Sequence, residues 1–429
     1  MTHHVILGAG PAGVIAAETI RKHAPHDTIT LVGDEAEPPY SRMAIPYLLM
    51  GNIDEAGTYL RKTPSHFLNL RINQVFVQAV SVDVAIKSIA LSNGDFLAYD
   101  RLLIATGSKP ARPPIPGIDS DGVHPCWTLE DARKIMALAQ PGARVLQMGA
   151  GFIGCIIMEA LKQRGVQLSV VEMGDRMVPR MMGPMAGGMI RDWCEKQGVQ
   201  VFTGTRVEAI EPGTPLKVRL SGGQIVQADL VISATGVKPN IRFLENSGIT
   251  CLQGVLTDEH LQTSVPGIYA AGDCAEAFDK VSGTTIVSAI QPNAVEQARV
   301  AALNMVGQST ELRGVTQINV LDTLGLISTS FGNWQGVPGS EQVELTERQA
   351  DGGKGRHLSL QFKDDVLVGC NSIGWTEHVG VMRGLVEGAV RLGPWKDKLK
   401  QDPTRLMQAY LASAQAQGQW TGAADEHRR

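Results

Sequence analysis

The sequence has few aromatic residues, no excess of charge of either sign and no long apolar run. Aromatic side chains make up 5% of its 429 residues, and 39 Lys and Arg stand against 43 Asp and Glu, for a formal net charge of −4. This balance argues against a nucleic-acid partner. No stretch of about 18 apolar residues is present, and the N-terminus lacks a basic, signal-like region. These absences predict a soluble, cytoplasmic protein without a membrane partner.

The cysteines give no sign of metal binding. No C-x-x-C or other metal-ligand spacing occurs in the sequence. We therefore interpret them as buried thiols in a reducing compartment and expect no metal site. The six are Cys126, Cys155, Cys194, Cys251, Cys274 and Cys370.

Glycine, in contrast, is abundant, with 47 residues. Residues 5–7 predict a buried parallel strand, and helical spacing begins at Ile15. Between them lies G-x-G-x-x-G, formed by Gly8, Gly10 and Gly13. In such a loop the first glycine makes the tight turn, the second lets a pyrophosphate approach, and the third lets the helix pack on the strand. The stretch predicts a dinucleotide site.

The same pattern occurs a second time, which indicates internal duplication. A strand over residues 144–148 leads into Gly149, Gly151 and Gly154, and a second helix follows. Each copy is followed, about a domain's length later, by a strand that ends in Ala-Thr-Gly, at 105–107 and at 234–236. Two such units predict two nucleotide cofactors, of which a bound flavin and an exchangeable nicotinamide are the natural pair.

An acidic residue at the end of the second strand of such a unit binds the ribose hydroxyls. In the first unit this second strand is predicted at residues 28–32. Asp34 is our first choice for the acid and Glu35 the second, with a solvated turn acid as the alternative. In the second unit Glu172 follows Gly154 by 18 residues. A carboxylate there would repel a 2′-phosphate and so favours NADH over NADPH, although Arg176 lies nearby.

Three further stretches are candidates for cofactor contact. A strand within 263–274 ends in Gly272 and Asp273, which places a carboxylate at the end of a strand. A helix starts at Ile290, with Pro292 near its first turn, and its free N–H groups could stabilise a reduced flavin. Arg42 is the one cation in an apolar, proline-punctuated approach to another helix.

The composition changes at about residue 311. Before it, a segment with prolines at 110, 113, 114 and 116 predicts a linker between domains. We predict a smaller α+β domain used for association or docking, with Trp334, Trp375 and Trp395 as core or interface residues. Its predicted strands are 315–320, 325–331, 342–345, 357–362 and 366–370, and its predicted helices are 377–391 and 403–415.

These motifs together resemble the pyridine nucleotide-disulfide oxidoreductases, flavoproteins with two dinucleotide-binding domains, over residues 2 to about 310. The resemblance implies an α/β fold with two Rossmann-like domains and a C-terminal α+β interface domain. FAD would bind to 1–112 with 240–310, NAD to 113–239, and 311–429 would form the interface. A homodimer and a hetero-oligomer through that last domain both remain open.

The resemblance also implies which residues hold the cofactors. The first glycine loop would bind the FAD pyrophosphate, the second NAD(H), and Asp273 the ribityl or pyrophosphate region. No catalytic side chain is assigned, because hydride transfer between two cofactors needs no general acid or base. The expected cofactor-binding residues are Gly8, Gly10, Pro11, Ala12, Gly13, Asp34, Glu35, Arg42, Val80, Ala105, Thr106, Gly107, Gly149, Gly151, Phe152, Ile153, Gly154, Glu172, Gly236, Gly272, Asp273, Asn293 and Ala294.

Branches of this family differ in where the electrons go. The dithiol spacings C-x-x-x-x-C and C-x-x-C are absent, and Arg42 stands where single-cysteine members have their thiol. The Pro-Tyr-Ser-Arg stretch is similar to rubredoxin and ferredoxin reductases and to the flavin part of NADH-dependent nitrite reductases, in which the residue matched by Arg42 contacts FAD. Similar subunits occur in 2-oxoacid oxidoreductases such as phenylglyoxylate dehydrogenase. Ile156 replaces a Glu that many relatives have near the nicotinamide.

The resulting hypothesis is an NADH-linked flavoenzyme without a redox-active disulfide. It would move hydride between NAD(H) and FAD and exchange electrons with an iron–sulfur protein, either a separate partner or part of a multi-subunit oxidoreductase. One alternative is a stand-alone NADH oxidase or disulfide reductase. Another is a flavin-bearing structural subunit.

Overall fold

The computed structural model describes residues 1–279, 282–315, 318–349 and 353–413, which form two compact units. The first unit comprises Met1–Ala111, Trp127–Arg133 and Gly236–Thr316, and the second comprises Arg112–Cys126, Lys134–Thr235 and Gln317–Arg429. None of the helices in these ranges combines the length and apolar character of a membrane-spanning segment.

The described elements follow the chain in this order. The strands are β1 His3–Leu7, β2 Thr28–Gly33, β3 Ile72–Phe76, β4 Ala79–Asp83, β5 Ser88–Leu91, β6 Phe96–Ala98, β7 Arg101–Ile104, β8 Ser108–Pro110, β9 Val123–His124, β10 Arg144–Met148, β11 Gln167–Val171, β12 Gln200–Phe202, β13 Val207–Glu211, β14 Leu216–Leu220, β15 Ile225–Ala228, β16 Leu230–Ser233, β17 Val237–Pro239, β18 Val255–Leu256, β19 Ile268–Ala270, β20 Ala275–Phe278, β21 Thr285–Val287, β22 Ile318–Thr323, β23 Leu326–Gly332, β24 Glu341–Glu347, β25 Arg356–Lys363 and β26 Val366–Ile373. The helices are α1 Pro11–His23, α2 Ile45–Leu49, α3 Glu55–Thr58, α4 His66–Asn69, α5 Leu129–Leu138, α6 Phe152–Gln163, α7 Pro184–Lys196, α8 Gln291–Met305, α9 Val379–Glu387 and α10 Trp395–Gln401.

A five-stranded parallel sheet organises the first unit, in the order β19-β7-β1-β2-β3. Its central strands β1 and β2 are buried almost throughout, as the sequence predicts for a parallel sheet covered on both faces. Helices α1 and α8 pack through small side chains, among them the fully buried Ala16 and Ala301. The predicted strands at residues 5–7 and 28–32 are confirmed.

The second unit contains a sheet of the same kind. Its five parallel strands are ordered β12-β11-β10-β16-β9. Each unit also carries a three-stranded antiparallel sheet, β4-β5-β6 in the first and β13-β14-β15 in the second. The predicted α/β fold with two Rossmann-like parts is thus confirmed, and the duplication extends beyond the glycine loops.

In the first unit the sequence pattern predicts one strand over residues 75–84 and a hairpin at the polar turn 92–95. The structure corrects the first of these predictions. Residues 75–84 are not one strand, because β3 ends at Phe76 in the parallel sheet and β4 begins at Ala79 in the antiparallel one. A single apolar run could not reveal that the chain changes sheets there. The predicted hairpin turn at 92–95 does join β5 to β6.

The C-terminal part of the second unit is an antiparallel sheet in the order β22-β23-β26-β25-β24, with helices against it. Trp375 and Trp395 pack on its apolar cluster, as a core role requires. The helix predicted at 377–391 is shorter, α9, and sequence reasoning missed α5 and α10. Residues 406–413 are helical, and the remainder of the helix predicted to 415 lies outside the described residues. The three-domain division stays a prediction.

Candidate functional site

The first glycine loop has the geometry of a phosphate cradle. Gly8 has φ +112°, and a Cβ there would overlap the carbonyl oxygen of Ala105. A Cβ on Gly13 would overlap the carbonyl oxygen of Gly8, whereas nothing lies within 4 Å of a Cβ built on Gly10. The outer glycines are therefore required by packing, and the middle one faces open space. This is the space that a dinucleotide pyrophosphate needs.

Helix α1 begins directly at this open space. Gly10 is its N-cap and no side chain caps it, so the amides of Ala12 and Gly13 are free for a ligand. The first hydrogen bond within the helix runs from the Val14 N–H to the Gly10 carbonyl, at 3.0 Å. Pro11 occupies the first helical position, where no N–H is needed. The helix thus presents its positive end to an anion.

Three predicted residues from distant parts of the chain meet beside this loop. A Cβ built on Gly272 would lie 3.4 Å from the Cβ of Ala12 and 3.5 Å from that of Ala294. The Gly272 amide donates to Gln297 Oε1 at 2.7 Å, and Asn293 is buried in the first turn of α8. The start of α8 is therefore held against the start of α1, and the cofactor contacts of these three residues stay predictions.

Asp273 follows Gly272 and is held by a side chain that sequence reasoning missed. Ser108 Oγ donates to Asp273 Oδ2 at 2.8 Å, and the indole N–H of Trp127 donates to the Ser108 carbonyl at 3.1 Å. Burial raises the pKa of the Asp273 carboxyl, while the Ser108 hydrogen bond acts to lower it. The position of Ser108 directly after Ala-Thr-Gly was the available signal.

A cavity of about 420 Å³ opens beside the glycine turn, within the size range of small-molecule sites. Four of the predicted residues line it: Gly8, Asp34, Val80 and Thr106. Sequence reasoning missed the polar residues that join them, which are Gln78, Lys109, Asn240, Arg242 and Glu245.

The structure distinguishes the two candidate ribose acids. Asp34 lines the cavity and is exposed, and no ion pair or hydrogen bond within the described ranges engages its carboxylate. Glu35 instead accepts hydrogen bonds from the Tyr40 hydroxyl at 2.5 Å and from Arg42 Nη2 at 2.7 Å. The geometry therefore favours Asp34 over Glu35, and the role of Asp34 at the ribose stays a prediction.

Arg42 is held in a side-chain cluster. Besides its bond to Glu35, its Nη1 donates to the Tyr40 hydroxyl at 3.2 Å and to the Trp127 carbonyl at 2.8 Å. The guanidinium also lies 5.3 Å from the Trp127 ring centre. Burial raises the pKa of Tyr40. Arg42 does not line the cavity, and its contact with FAD stays a prediction.

The second glycine loop repeats the first. Gly149 has φ +96°, and its Cβ would overlap the Ala234 carbonyl oxygen; a Cβ on Gly154 would lie 2.5 Å from the Gly149 carbonyl oxygen. Nothing lies within 4 Å of a Cβ on Gly151, the uncapped N-cap of α6. Helix α6 therefore begins with Phe152 and Ile153, and the end of the helix that carries their amides faces open space.

Glu172 is fixed against this second loop. Its Oε2 accepts the Ala150 N–H at 2.7 Å and its Oε1 accepts the Gly174 N–H at 2.8 Å. Arg176 donates to the Met182 carbonyl at 2.9 Å and pairs with Asp175 at 2.7 Å. The cation that could have bound a 2′-phosphate is therefore already engaged.

The remaining predicted residues belong to the two Ala-Thr-Gly stretches. Ala105 N–H continues the ladder to the Leu7 carbonyl at 2.7 Å, and Thr106 Oγ1 donates to the Asn240 carbonyl at 2.8 Å. Gly107 and Gly236 both have positive φ, +65° and +109°. They flank the two-stranded ribbon β8-β17 and shape the backbone beside the cavity.

The prediction of buried thiols is confirmed for four of the six cysteines, whereas Cys126 and Cys251 are only partly buried. None of the six forms a disulfide. Cys274, next to Asp273, donates to the Ile104 carbonyl at 3.4 Å, and burial raises its pKa to about 11. Among the described residues, no group of three or more His, Cys, Asp or Glu could hold a metal ion.

Comparison with known proteins identifies the family. The sequence profile described as pyridine nucleotide-disulphide oxidoreductase matches residues 2–302. The chain is 32% identical over 391 residues to the NADH oxidase of Methanocaldococcus jannaschii, covering 86% of this chain and 87% of that protein. It is 30% identical over 406 residues to subunit epsilon of the NADH-dependent phenylglyoxylate dehydrogenase of Aromatoleum evansii, covering 94% and 95%.

A third relative is the rubredoxin-NAD(+) reductase of Pseudomonas putida, to which the chain is 31% identical over 396 residues. This match covers 89% of this chain and 98% of that protein. All three relatives are matched over nearly their whole lengths. The chain belongs to the pyridine nucleotide-disulphide oxidoreductase family and is an FAD-dependent oxidoreductase.

Proposed function

We propose that this chain moves hydride between NAD(H) and FAD and exchanges electrons with an iron–sulfur protein. That protein is either a separate partner or another subunit of the same complex. The observation that carries the proposal is the pair of glycine loops with the same steric pattern, each with an open N-cap glycine and a following acid. Two complete dinucleotide cradles in one chain are what a transfer between two cofactors requires.

The residues of the first loop fit FAD. The open space at Gly10 and the free amides of α1 would take the pyrophosphate, and Asp34 would take the ribose hydroxyls. Asp273 and the start of α8 would lie along the rest of the cofactor. Bound FAD supplies a group that accepts a hydride and returns electrons singly. The protein's part is to bind and orient it.

The second loop fits NAD(H), with NADH preferred over NADPH. The amides of Ala150, in the loop, and of Gly174 hold the Glu172 carboxylate in place, so a 2′-phosphate would meet a fixed negative charge. Arg176 is bound by Asp175 and by backbone carbonyls and is not free to compensate. Two of the relatives are named for NADH and the third for NAD(+), which supports the same preference.

An iron–sulfur acceptor is supported by the absence of a thiol pair and by two relatives. None of the six cysteines forms a disulfide, and the thiol next to Asp273 has a raised pKa, so no sulfur relay is available beside this carboxylate. One relative is named for rubredoxin and another is a subunit of a larger dehydrogenase. Electrons would therefore leave to a separate centre.

The test is reduction of the flavin in the full-length protein, measured anaerobically by stopped flow. NADH is expected to bleach the flavin band at least about 100-fold faster than NADPH, and a reduced sample should then reduce a rubredoxin or ferredoxin. Gly151→Val should slow the NADH step at least about 100-fold by filling the open space. Gly188→Val is the matched control, because nothing lies within 4 Å of its Cβ either.

A flavin band that NADH leaves unchanged would contradict the proposal. A second candidate function is a stand-alone NADH oxidase, which the name of the M. jannaschii relative favours. Rapid NADH consumption in air without any protein acceptor, together with no reduction of rubredoxin or ferredoxin, would establish that function instead.

A further inference from the structure

Two lysines without partners face each other beside the cavity of the first loop. Lys109 lines the cavity together with Gly8 and Asp34. In the ribbon β8-β17, Lys238 is paired directly with Lys109, and both side chains are exposed. Within the described ranges, neither ammonium group forms an ion pair or a hydrogen bond. The sequence repeats this lysine after both Ala-Thr-Gly stretches, which leaves its role to be explained.

The arrangement is unfavourable without a ligand. Side chains directly opposite in an antiparallel pair have Cβ atoms about 5 Å apart, and like charges there destabilise the pair. Arg242 adds a third cation to the cavity lining, but Glu245, 3.9 Å away, offsets it. Within the described ranges, no carboxylate lies within ion-pair distance of Lys109 or Lys238, so an anion that enters the cavity would interact favourably with their positive charge.

The other residues that line the cavity indicate which anion would bind there. Gly8 belongs to the loop whose helix presents free amides to phosphate, and Asp34 is placed for ribose hydroxyls. Both are suited to the adenosine diphosphate half of FAD. We propose that Lys109 is a FAD-binding residue whose ammonium pairs with a diphosphate oxygen, and that Lys238 strengthens the positive potential at that point. This inference rests on the flavin half of the proposed function.

The experiment measures FAD affinity of the full chain after removal of its flavin, by quenching of flavin fluorescence. Lys109→Met should raise the Kd for FAD about tenfold, the lower end for a lost hydrogen bond to a charged group at an exposed site. Lys238→Met should raise it about threefold, because its charge acts at longer range. Lys22→Met, which removes the same charge from the far end of α1, should leave it unchanged.

Competition against FAD identifies the group that is recognised. In Lys109→Met, ADP should compete about tenfold less well, whereas adenosine, which has no phosphate, should compete as in the wild type. Lys109→Arg should restore the FAD affinity to within about threefold. Added salt should weaken FAD binding to the wild type more than to Lys109→Met.

An FAD affinity of Lys109→Met that equals that of Lys22→Met would overturn the inference. So would an equal loss for ADP and adenosine, since that would place the lysine at the nucleoside. NADH and the acceptor protein are absent from these assays. Their outcome is therefore separate from whether NADH reduces the flavin.

Discussion

The first glycine loop, residues 8–13, and the second, residues 149–154, make the same backbone contacts. The Gly8 N–H donates to the Val32 carbonyl at 2.7 Å, and the Gly149 N–H donates to the Val171 carbonyl at 2.8 Å. In both loops the outer glycines are closed in by backbone and the middle one is open. The turn is thus a steric solution that the chain uses twice.

The acids that follow the two loops are held differently. Asp34 is exposed at its cavity, and no ion pair or hydrogen bond within the described residues engages its carboxylate. Glu172, in contrast, accepts hydrogen bonds from the amide of Ala150 in its own loop and from the amide of Gly174. An acid fixed in place loses little freedom when it meets a ligand, and it repels a misplaced phosphate strongly. From this comparison we expect the first site to retain its ligand and the second site to discriminate between ligands that exchange.

The largest expected effect distinguishes the glycine of the first loop that is required for packing from the glycine that leaves space for the ligand. Gly13→Val should lower the free energy of unfolding by about 3 kcal/mol or more, because its Cβ overlaps the Gly8 carbonyl and crowds Leu31. Gly10→Val should contain no FAD and should unfold like the wild type from which the flavin has been removed, because bound FAD itself stabilises the fold. Thermal unfolding and flavin content of the purified proteins measure the two effects. A flavin-loaded Gly10→Val protein would remove the first loop from the FAD site.

The next effect tests whether the two acids serve different ligands. Glu172→Gln should reduce the preference for NADH over NADPH about tenfold or more in kcat/KM, because the repulsion of the 2′-phosphate is lost. Asp34→Asn should weaken FAD binding about tenfold and leave the coenzyme preference unchanged. Steady-state kinetics with both coenzymes and a fluorescence titration of FAD are the measurements. A changed coenzyme preference in Asp34→Asn would reverse the assignment.

A smaller effect, on the pH dependence of the free energy of unfolding, follows from the residues at the start of each central strand. Burial holds the pKa of His4 in β1 below 6.5, although its hydrogen bond with Asp27 acts to raise it. The corresponding strand β10 begins at Arg144, whose pairing lowers the pKa of Asp229 from 3.8. The unfolded chain takes up a proton at His4 near pH 6.5 before the folded chain does. Its stability contribution is therefore complete above that pH and declines as the pH falls.

Between pH 7.5 and 5.5 the free energy of unfolding should decrease, by at most about 1.4 kcal/mol per pH unit for this histidine. His4→Gln should reduce that slope, measured by denaturant unfolding at each pH. Burial also lowers the pKa of His357, so His357→Gln measures the other histidine contribution. The Asp229 contribution should stay constant in this window and disappear only below about pH 4. A slope unaffected by His4→Gln would contradict the assignment.

The smallest expected effect concerns the thiols. Cys126→Ser and Cys251→Ser, at the two cysteines that are not fully buried, should leave flavin reduction by NADH within about twofold of the wild type. The reason is that neither nucleotide loop depends on sulfur. Anaerobic stopped flow measures the rate, and alkylation of the native protein provides a second route. A large loss of rate in either variant would reintroduce a thiol step.

The sequence predicted those parts of the fold that short-range sterics decide. Gly8, Gly10 and Gly13 could be identified because their spacing follows from one turn of chain between a strand and a helix. The break at residues 77–78 could not be found, since both sides are apolar and only the pairing partners differ. The α10 helix was missed for a similar reason, because packing on the C-terminal cluster decides its seven residues.

Within the site, the sequence alone predicted two dinucleotide loops, with Glu172 as the acid of the second and Asp34 or Glu35 as the acid of the first. The tertiary structure decided which charges are free: it gave Glu35 to Arg42, left Asp34 at the cavity and set Lys109 against Lys238. The physical reason is the separation along the chain of the residues that specify each feature. A glycine turn is specified by residues a few positions apart, whereas the partner of a charge comes from wherever folding brings another strand or helix.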